Sequence, residues 1–229
     1  MSRKAAKRAA PEPVDASDAR QRLLETAQAV FADRGFDGAK VRDICKGAAV
    51  NIAGINYHFG GKEELYIEAV KHAHTCAARM ESFPVPPPGT PPIEKLKGFI
   101  REMVSRMHTP TSPAAMKLMM REMADPGKAA DIVVKEFIQP VAFALRDILR
   151  ELLPDTDERK LLATGFSIIG QILFYRQNRP VSELIFGKEA VDALDVNFVT
   201  DHIICFTLAA LGLAQPAEPP IGRKPKNKS

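Results

Sequence analysis

Along most of the chain apolar residues recur at steps of three and four, the spacing that lays a stripe along one side of a helix. Leu23, Ala27, Val30 and Phe31 form one stripe, Phe137, Val141, Leu145, Ile148 and Leu152 a second, and Leu162, Phe166, Ile169 and Leu173 a third. No stretch alternates apolar and polar positions with β-branched enrichment between turn dipeptides, so no strands are expected. The pattern predicts an all-α chain.

Helix breakers divide that pattern. Gly35 and Gly38 close the first helix, and six prolines within 83–92 (Pro84, Pro86, Pro87, Pro88, Pro91, Pro92) exclude helix there and separate an N-terminal part from the body. Further stops stand at 110–113, 125–127, Pro154 and Pro180. The predicted helices are 18–34, 41–48, 52–58, 62–81, 93–108, 113–123, 129–152, 156–178 and 189–212. Pro140 falls inside the seventh, where the missing backbone donor predicts a kink.

Charge changes the picture only when it is counted by segment. The 229 residues carry a formal net charge of +4. Residues 1–17 hold four basic groups against two acidic, and residues 214–229 four against one, so 18–213 is close to −1. Both ends are rich in Lys, Arg, Ala and Pro with almost no large apolar side chain, and are predicted to be disordered basic tails, since they cannot offset the entropy of ordering.

Composition then removes several classes. Cys45, Cys76 and Cys205 are odd in number and lack Cys-x-x-Cys spacing, which speaks against a disulfide scaffold or a zinc framework. The N-terminus has no apolar core of the secretory kind, and the longest nearly apolar run, 203–214, is too short to span a bilayer. A soluble cytoplasmic protein with no membrane partner, no metal and no cofactor is expected.

The richest stretch is 40–59, Lys-Val-Arg-Asp-Ile-Cys-Lys-Gly-Ala-Ala-Val-Asn-Ile-Ala-Gly-Ile-Asn-Tyr-His-Phe. A short helix with Val41, Ile44 and Ala48 on one face meets a turn at Ala49 and Val50, and Asn51 caps a second short helix by accepting a backbone N–H. In that helix Ile52, Ile55 and Phe59 fall at i, i+3 and i+7 and are expected to face inward. Ala53, Asn56 and Tyr57 lie on the other face, small or flat enough for a major groove. Gly54 allows close approach to DNA or to the partner helix. Residues 40–62 carry Lys40, Arg42, Lys46 and Lys62 against Asp43 alone, a local +3. Two short helices around a turn occur in many helical proteins, so the pattern alone does not decide the matter.

The flanking residues do more. The first helix ends Phe31-Ala-Asp-Arg-Gly35-Phe36, and the motif continues Tyr57-His58-Phe59-Gly60-Gly61-Lys62-Glu63-Glu64-Leu65-Tyr66. Over about 20–70 the chain resembles the N-terminal domain of the tetracycline-repressor (TetR) family of bacterial transcription regulators. Within it, 51–60 is most similar to the CecR-type branch. Arg121-Glu122 followed by Pro126, and Glu136-Phe-Ile-Gln-Pro140, are similar to that branch's C-terminal domain.

The resemblance implies a recognition helix at 52–58 in which Ala53, Asn56 and Tyr57 reach bases or sugar-phosphate. It also implies a phosphate contact from Lys62 at the start of the next helix, where dipole and charge both favour an anion. Arg42 and His58 are implied as further backbone contacts, and Asn51 completes the motif. Three positions depart from the common pattern. Lys40 stands where a Thr or Ser cap is usual and offers a phosphate contact instead; Gly61 replaces a Ser or Thr; Asn56 replaces a common Tyr and could pair with adenine bidentately. The implied organisation is a helix-turn-helix domain at 18–62 and a helical effector-binding and dimerisation domain at 63–213.

Apart from Met1, every methionine lies within 80–123. Thioether side chains adapt to varied ligands, which makes Phe99, Met103, Met107, Met119, Phe137 and Phe143 candidates to line an effector pocket, with ordinary core filling the competing reading. Arg121 and Glu122 are candidate polar partners there, or else an internal ion pair that locks helices. On 189–212, Leu194, Phe198, Cys205 and Leu208 form one face and Val199, Ile203, Phe206 and Ala210 another, more apolar surface than one intrachain contact uses. The family implies that the last two long helices build a homodimer, with Phe166, Ile169, Leu173, Phe198, Cys205 and Leu208 at the interface; a helix buried within a monomer is the alternative.

Two other functional classes fit the chain less well. His72 and His74 point to different faces of one helix, and no His-Glu-x-x-His spacing, nucleophile elbow or glycine-rich phosphate loop occurs, which leaves an all-α enzyme without chemistry. A helical protein–protein adaptor would use an apolar face but not Lys62 beside an inward Phe59 and an outward Asn56. The favoured reading is a dimeric, ligand-responsive DNA-binding regulator, a repressor released from a palindromic operator in double-stranded DNA by a small hydrophobic effector.

Overall fold

The computed structural model describes residues 16–78, 83–109 and 111–213; the predicted tails lie outside them except for 16–17, as does Met80. Among the described residues every regular element is helical: α1 (Ala16–Gly38), α2 (Val41–Gly47), α3 (Ala53–Phe59), α4 (Lys62–Ala78), α5 (Pro92–His108), α6 (Pro113–Ala124), α7 (Ala130–Val133), a π turn (Val134–Ile138), α8 (Gln139–Leu152), α9 (Glu158–Gln177), α10 (Arg179–Phe186), α11 (Lys188–Asp192) and α12 (Val196–Ala210). None is long and apolar enough to cross a membrane.

Two compact units form. The first takes in α1 to α4, α6, α7 and the π turn, and so extends well beyond the helix-turn-helix segment. Its core is built on the fully buried Leu23, Ala27 and Phe31 of α1, with Ile44, Ile55, Leu65 and Leu118 from the helices packed around it. Tyr66 meets Phe31 and Phe36 edge to face, its ring centroid 4.9 Å from that of Phe31 and 5.2 Å from that of Phe36. The buried Gln28 ties α1 to α4 by donating from Nε2 to the Ala69 carbonyl at 3.2 Å.

The second unit holds α5, α8 from Val141 on, and α9 to α12. Leu96, Phe99 and Ile100 of α5, Leu149 of α8, Ile168 and Ile172 of α9, and Val199 and Ile203 of α12 are almost wholly buried in its core. Arg176 closes the C-terminus of α5 by donating to the Met107 and Thr109 carbonyls, two of the acceptors a helix end leaves open.

The departures from the predicted elements have local causes. The predicted helix 129–152 is α7, a π turn and α8. A proline ring at 140 would press on the carbonyl four residues back, and widening the turn just before it is how the helix absorbs that clash. Pro180, expected as a stop, occupies the first turn of α10, where no N–H is needed. The predicted helix 189–212 breaks at 193–195, and Asp195 restarts it by accepting from the Phe198 N–H at 2.9 Å.

Candidate nucleic-acid interface

The motif at 40–62 folds as two short helices around a tight turn. Ala49 adopts φ 54, a left-handed conformation that a non-glycine residue holds only when its surroundings impose it, and Val50 N–H then reaches back to the Cys45 carbonyl at 3.0 Å. Asn51 Oδ1 accepts from the Ala53 N–H at 3.1 Å and opens α3 as its sequence position implies. Gly54 has a definite steric role: a Cβ there would stand 2.5 Å from Cγ1 of Val50, so glycine lets α3 seat on the turn. Gly47 does the same for α2 against α1, where a Cβ would meet Cγ2 of Thr26 at 2.7 Å. Arg22 adds a bond from Nε to the Ala48 carbonyl at 3.1 Å.

α3 divides into two faces. Ile55 and Phe59 are buried, and Arg20 lies over the Phe59 ring at 5.1 Å. Ala53, Asn56 and Tyr57 are exposed together, Tyr57 at 79%. Ile52, expected to face inward, is instead 56% exposed although its backbone is already helical: the stripe spacing is kept, but the core covers only Ile55 and Phe59. His58 is half-buried with its ring against that of Tyr57 at 4.9 Å.

The charged side chains of 40–62 are mostly at the surface. Lys40 is exposed at the start of α2 in extended backbone with no side-chain cap, since an ammonium cannot accept from the first-turn N–H groups, and the position carries a surface cation instead. Arg42 and Lys46 are also exposed. Asp43, the only acid of 40–62, pairs with Arg34 and so subtracts little from the basic surface. Lys62 begins α4, half-buried, with its ammonium 4.5 Å from the Phe36 ring centroid.

The candidate pocket residues divide between the units. Met119, Arg121, Glu122 and Phe137 belong to the first; Phe99, Met103, Met107 and Phe143 belong to the second. Phe99 and Met103 are core, Phe137 stacks on His74 at 5.4 Å, and Phe143 is 44% exposed under Arg146. Arg121 and Glu122 do not form the expected ion pair. Glu122 is buried and accepts from Tyr66 Oη at 2.5 Å, Gly127 N–H at 2.9 Å and Ala129 N–H at 3.2 Å, while the exposed Arg121 lies against Gly35. Burial and the Glu122 carboxylate raise the Tyr66 phenol pKa, which keeps it a donor. A cavity of about 280 Å³ in the second unit is lined by other residues, among them His108, Phe174, Tyr175, Ser182, Phe186 and Val191. Sequence periodicity could not find it, because the pattern predicts no helix at α10 and makes α11 the start of one long helix, 189–212.

The candidate interface residues sort by exposure. Phe166 (67%), Phe198 (55%) and Cys205 are exposed, whereas Ile169, Leu173 and Leu208 are half-buried. Leu162, Phe174 and Phe206 extend the exposed apolar surface, so Phe206 stands with Phe198 and not with the inward Val199 and Ile203.

Known proteins share both parts of this arrangement. Residues 23–69 match the model of the bacterial regulatory proteins of the tetR family, and residues 92–211 match the C-terminal domain of the HTH-type transcriptional dual regulator CecR, which is more than half the chain. The chain belongs to the TetR family, with a CecR-type C-terminal domain. It is therefore a transcription regulator and not an enzyme. It is similar to CecR of Shigella flexneri, 26% identical over 88% of this chain and 96% of that protein. Its N-terminal part is 42% identical over 52 residues to the transcriptional repressor KstR2 of Mycobacterium tuberculosis, 23% of this chain and 26% of that one. The fold matches that of a mutant of HlyIIR with a TM-score of 0.55 at 22% identity, covering 82% of this chain and 96% of that one.

Proposed function

We propose that the protein is a homodimeric repressor that binds a palindromic operator and is released by a small hydrophobic effector. The observation that carries the DNA-binding part is the exposed face of α3, where Ala53, Asn56 and Tyr57 stand clear of a buried Ile55 and Phe59 and are flanked by Lys40, Arg42, His58 and Lys62. A short helix presenting small and flat polar groups, ringed by cations, suits a major groove: the outer face reads base edges and the ring of charge meets phosphates. Asn51 holds the start of that helix.

The exposed apolar surface of α9 and α12 supports the dimer. Four aromatic rings and a leucine open to water (Phe166, Phe174, Phe198, Phe206 and Leu162) make a patch that a stable protein ordinarily covers. A two-fold partner would cover it and set two recognition helices about one DNA turn apart. A repressor role is supported by KstR2, named a repressor, although CecR is named a dual regulator. For the effector, the cavity of about 280 Å³ in the second unit supplies apolar surroundings, with Tyr175, Ser182 and His108 bringing polar groups to it. Its occupancy would favour a conformation with wrongly spaced recognition helices.

The salt dependence of binding tests the cationic ring. Lys62→Ala should lower the slope of log affinity against log salt by about 0.9, the share of one phosphate contact, with base preference unchanged. An unchanged slope would mean that the Lys62 ammonium stays on Phe36 in the complex.

A further inference from the structure

Residues 121–129 lie within the span of the CecR-type C-terminal domain, yet they pack in the same unit as the helix-turn-helix. Their side chains meet the corner where α1 ends and α4 begins. Glu122 takes three hydrogen bonds in a buried site, one from Tyr66 on the second turn of α4 and two from the backbone of its own loop at Gly127 and Ala129. Arg121 lies over Gly35, whose φ of 70 and ψ of −178 interrupt α1; a Cβ there would stand 2.5 Å from the guanidinium. Lys128 bonds Glu63 at 2.8 Å and lies 5.2 Å from the Phe36 ring that also carries the Lys62 ammonium. The last turn of α6 and the loop that follows it thus grip Gly35, Phe36, Glu63 and Tyr66.

That corner controls the reading helix by chain geometry. Only Gly60 and Gly61 separate α3 from α4, and Gly60 at φ 88 makes the turn between them. Whatever fixes the first turns of α4 therefore fixes Lys62 and the exit of α3.

We propose that Glu122 and Arg121 are positioning residues for operator binding: the Tyr66–Glu122 bond and the seat of Arg121 on Gly35 hold the start of α4, and with it Lys62 and α3, in the DNA-binding geometry. The proposal rests on the DNA-binding reading above. It gives the C-terminal domain a direct hold on the reading helix through the α6–α7 loop. A hold made largely of hydrogen bonds, with Ala129 the one residue of 125–129 packed in the core beside Phe31, Leu65 and Leu118, can be released at little cost in apolar burial.

The test uses the full chain, an operator duplex selected from a random pool, and an unselected duplex. Glu122→Gln keeps an acceptor for Tyr66 but turns an amide N–H₂ toward two backbone donors, so the loop should lose its fixed position. Arg121→Ala removes an exposed side chain and leaves the core alone, which keeps the test valid if the first variant fails to fold. Both, assayed well below their melting transitions, should bind the operator on the order of tenfold more weakly, a typical coupling strength, while affinity for the unselected duplex, which uses phosphate contacts such as that of Lys62 but no base readout, falls less. Hydrogen exchange should rise at 60–66 and stay unchanged within the core of α1. Operator affinity equal to wild type in every folded variant, with or without a lower Tm, overturns the proposal and leaves the loop a purely stabilising role. Wild-type protein that selects no duplex overturns the regulator reading itself, and this proposal with it.

Discussion

Phe166→Asp combined with Phe198→Asp yields a folded monomer whose operator affinity falls by about two orders of magnitude or more. Both rings are more than half exposed in the single chain, so the substitutions leave its core untouched and its helical content unchanged. In a two-fold dimer the two positions contribute four rings, and burying one phenylalanine stabilises by about 1.5–3 kcal/mol. Since the rings are 67% and 55% exposed in the single chain, the four together account for on the order of 4–7 kcal/mol of association, and an aspartate in each place adds the cost of burying a charge. A lone protomer keeps one half-site's contacts and loses the second, which turns an intramolecular engagement back into a bimolecular one. Sedimentation velocity at micromolar concentration reads the oligomeric state directly. A variant that still sediments as a dimer would place the interface elsewhere.

Phe31→Ala destabilises the first unit by about 3–5 kcal/mol, the cost of removing a wholly buried aromatic from a site that cannot collapse. The site resists collapse because Phe31 stacks with Phe36 at 6.4 Å and meets Tyr66 edge-on, while Leu23 and Ala27 of the same helix are fixed against other neighbours. Denaturant unfolding followed by circular dichroism gives the number, and a loss below about 1 kcal/mol would mean that Phe36 and Tyr66 close over the gap. Operator binding should fail at lower denaturant than wild type, since the ring supports the α1–α4 corner as well as the core.

Much of this was legible in the chain because helical periodicity reports one-sided burial. Leu23, Ala27 and Phe31 of the first stripe and Leu145 and Ile148 of the second are buried as the spacing predicts. The third stripe shows the limit of that reasoning: Leu162 and Phe166 follow the same step but are exposed, because spacing shows that a stripe exists and not what covers it. Breakers were harder to read. Pro180 and Pro140 signal either an end or a first turn, and only the neighbouring packing decides which. The face proposed to read DNA could be picked out as a pattern because Asn51, Ala53, Asn56 and Tyr57 lie within one local motif, and the structure exposes all four together. Glu122 was not, because its partner Tyr66 lies 56 residues away, a separation that periodicity cannot bridge. The methionine cluster suggested one pocket, whereas Met119 and Met103 belong to different units. Cys45 is buried with its thiol pKa pushed up, which fits packing in the core and not reactivity.

The measurement closest to the central claim is selection of duplexes from a random pool by the wild-type chain at physiological salt. The enriched sequences should share an inverted repeat, its half-sites centred about one helical turn or a whole multiple apart, bound by two protomers. No enrichment over the starting pool, or enrichment of a single half-site bound by one protomer, would contradict it.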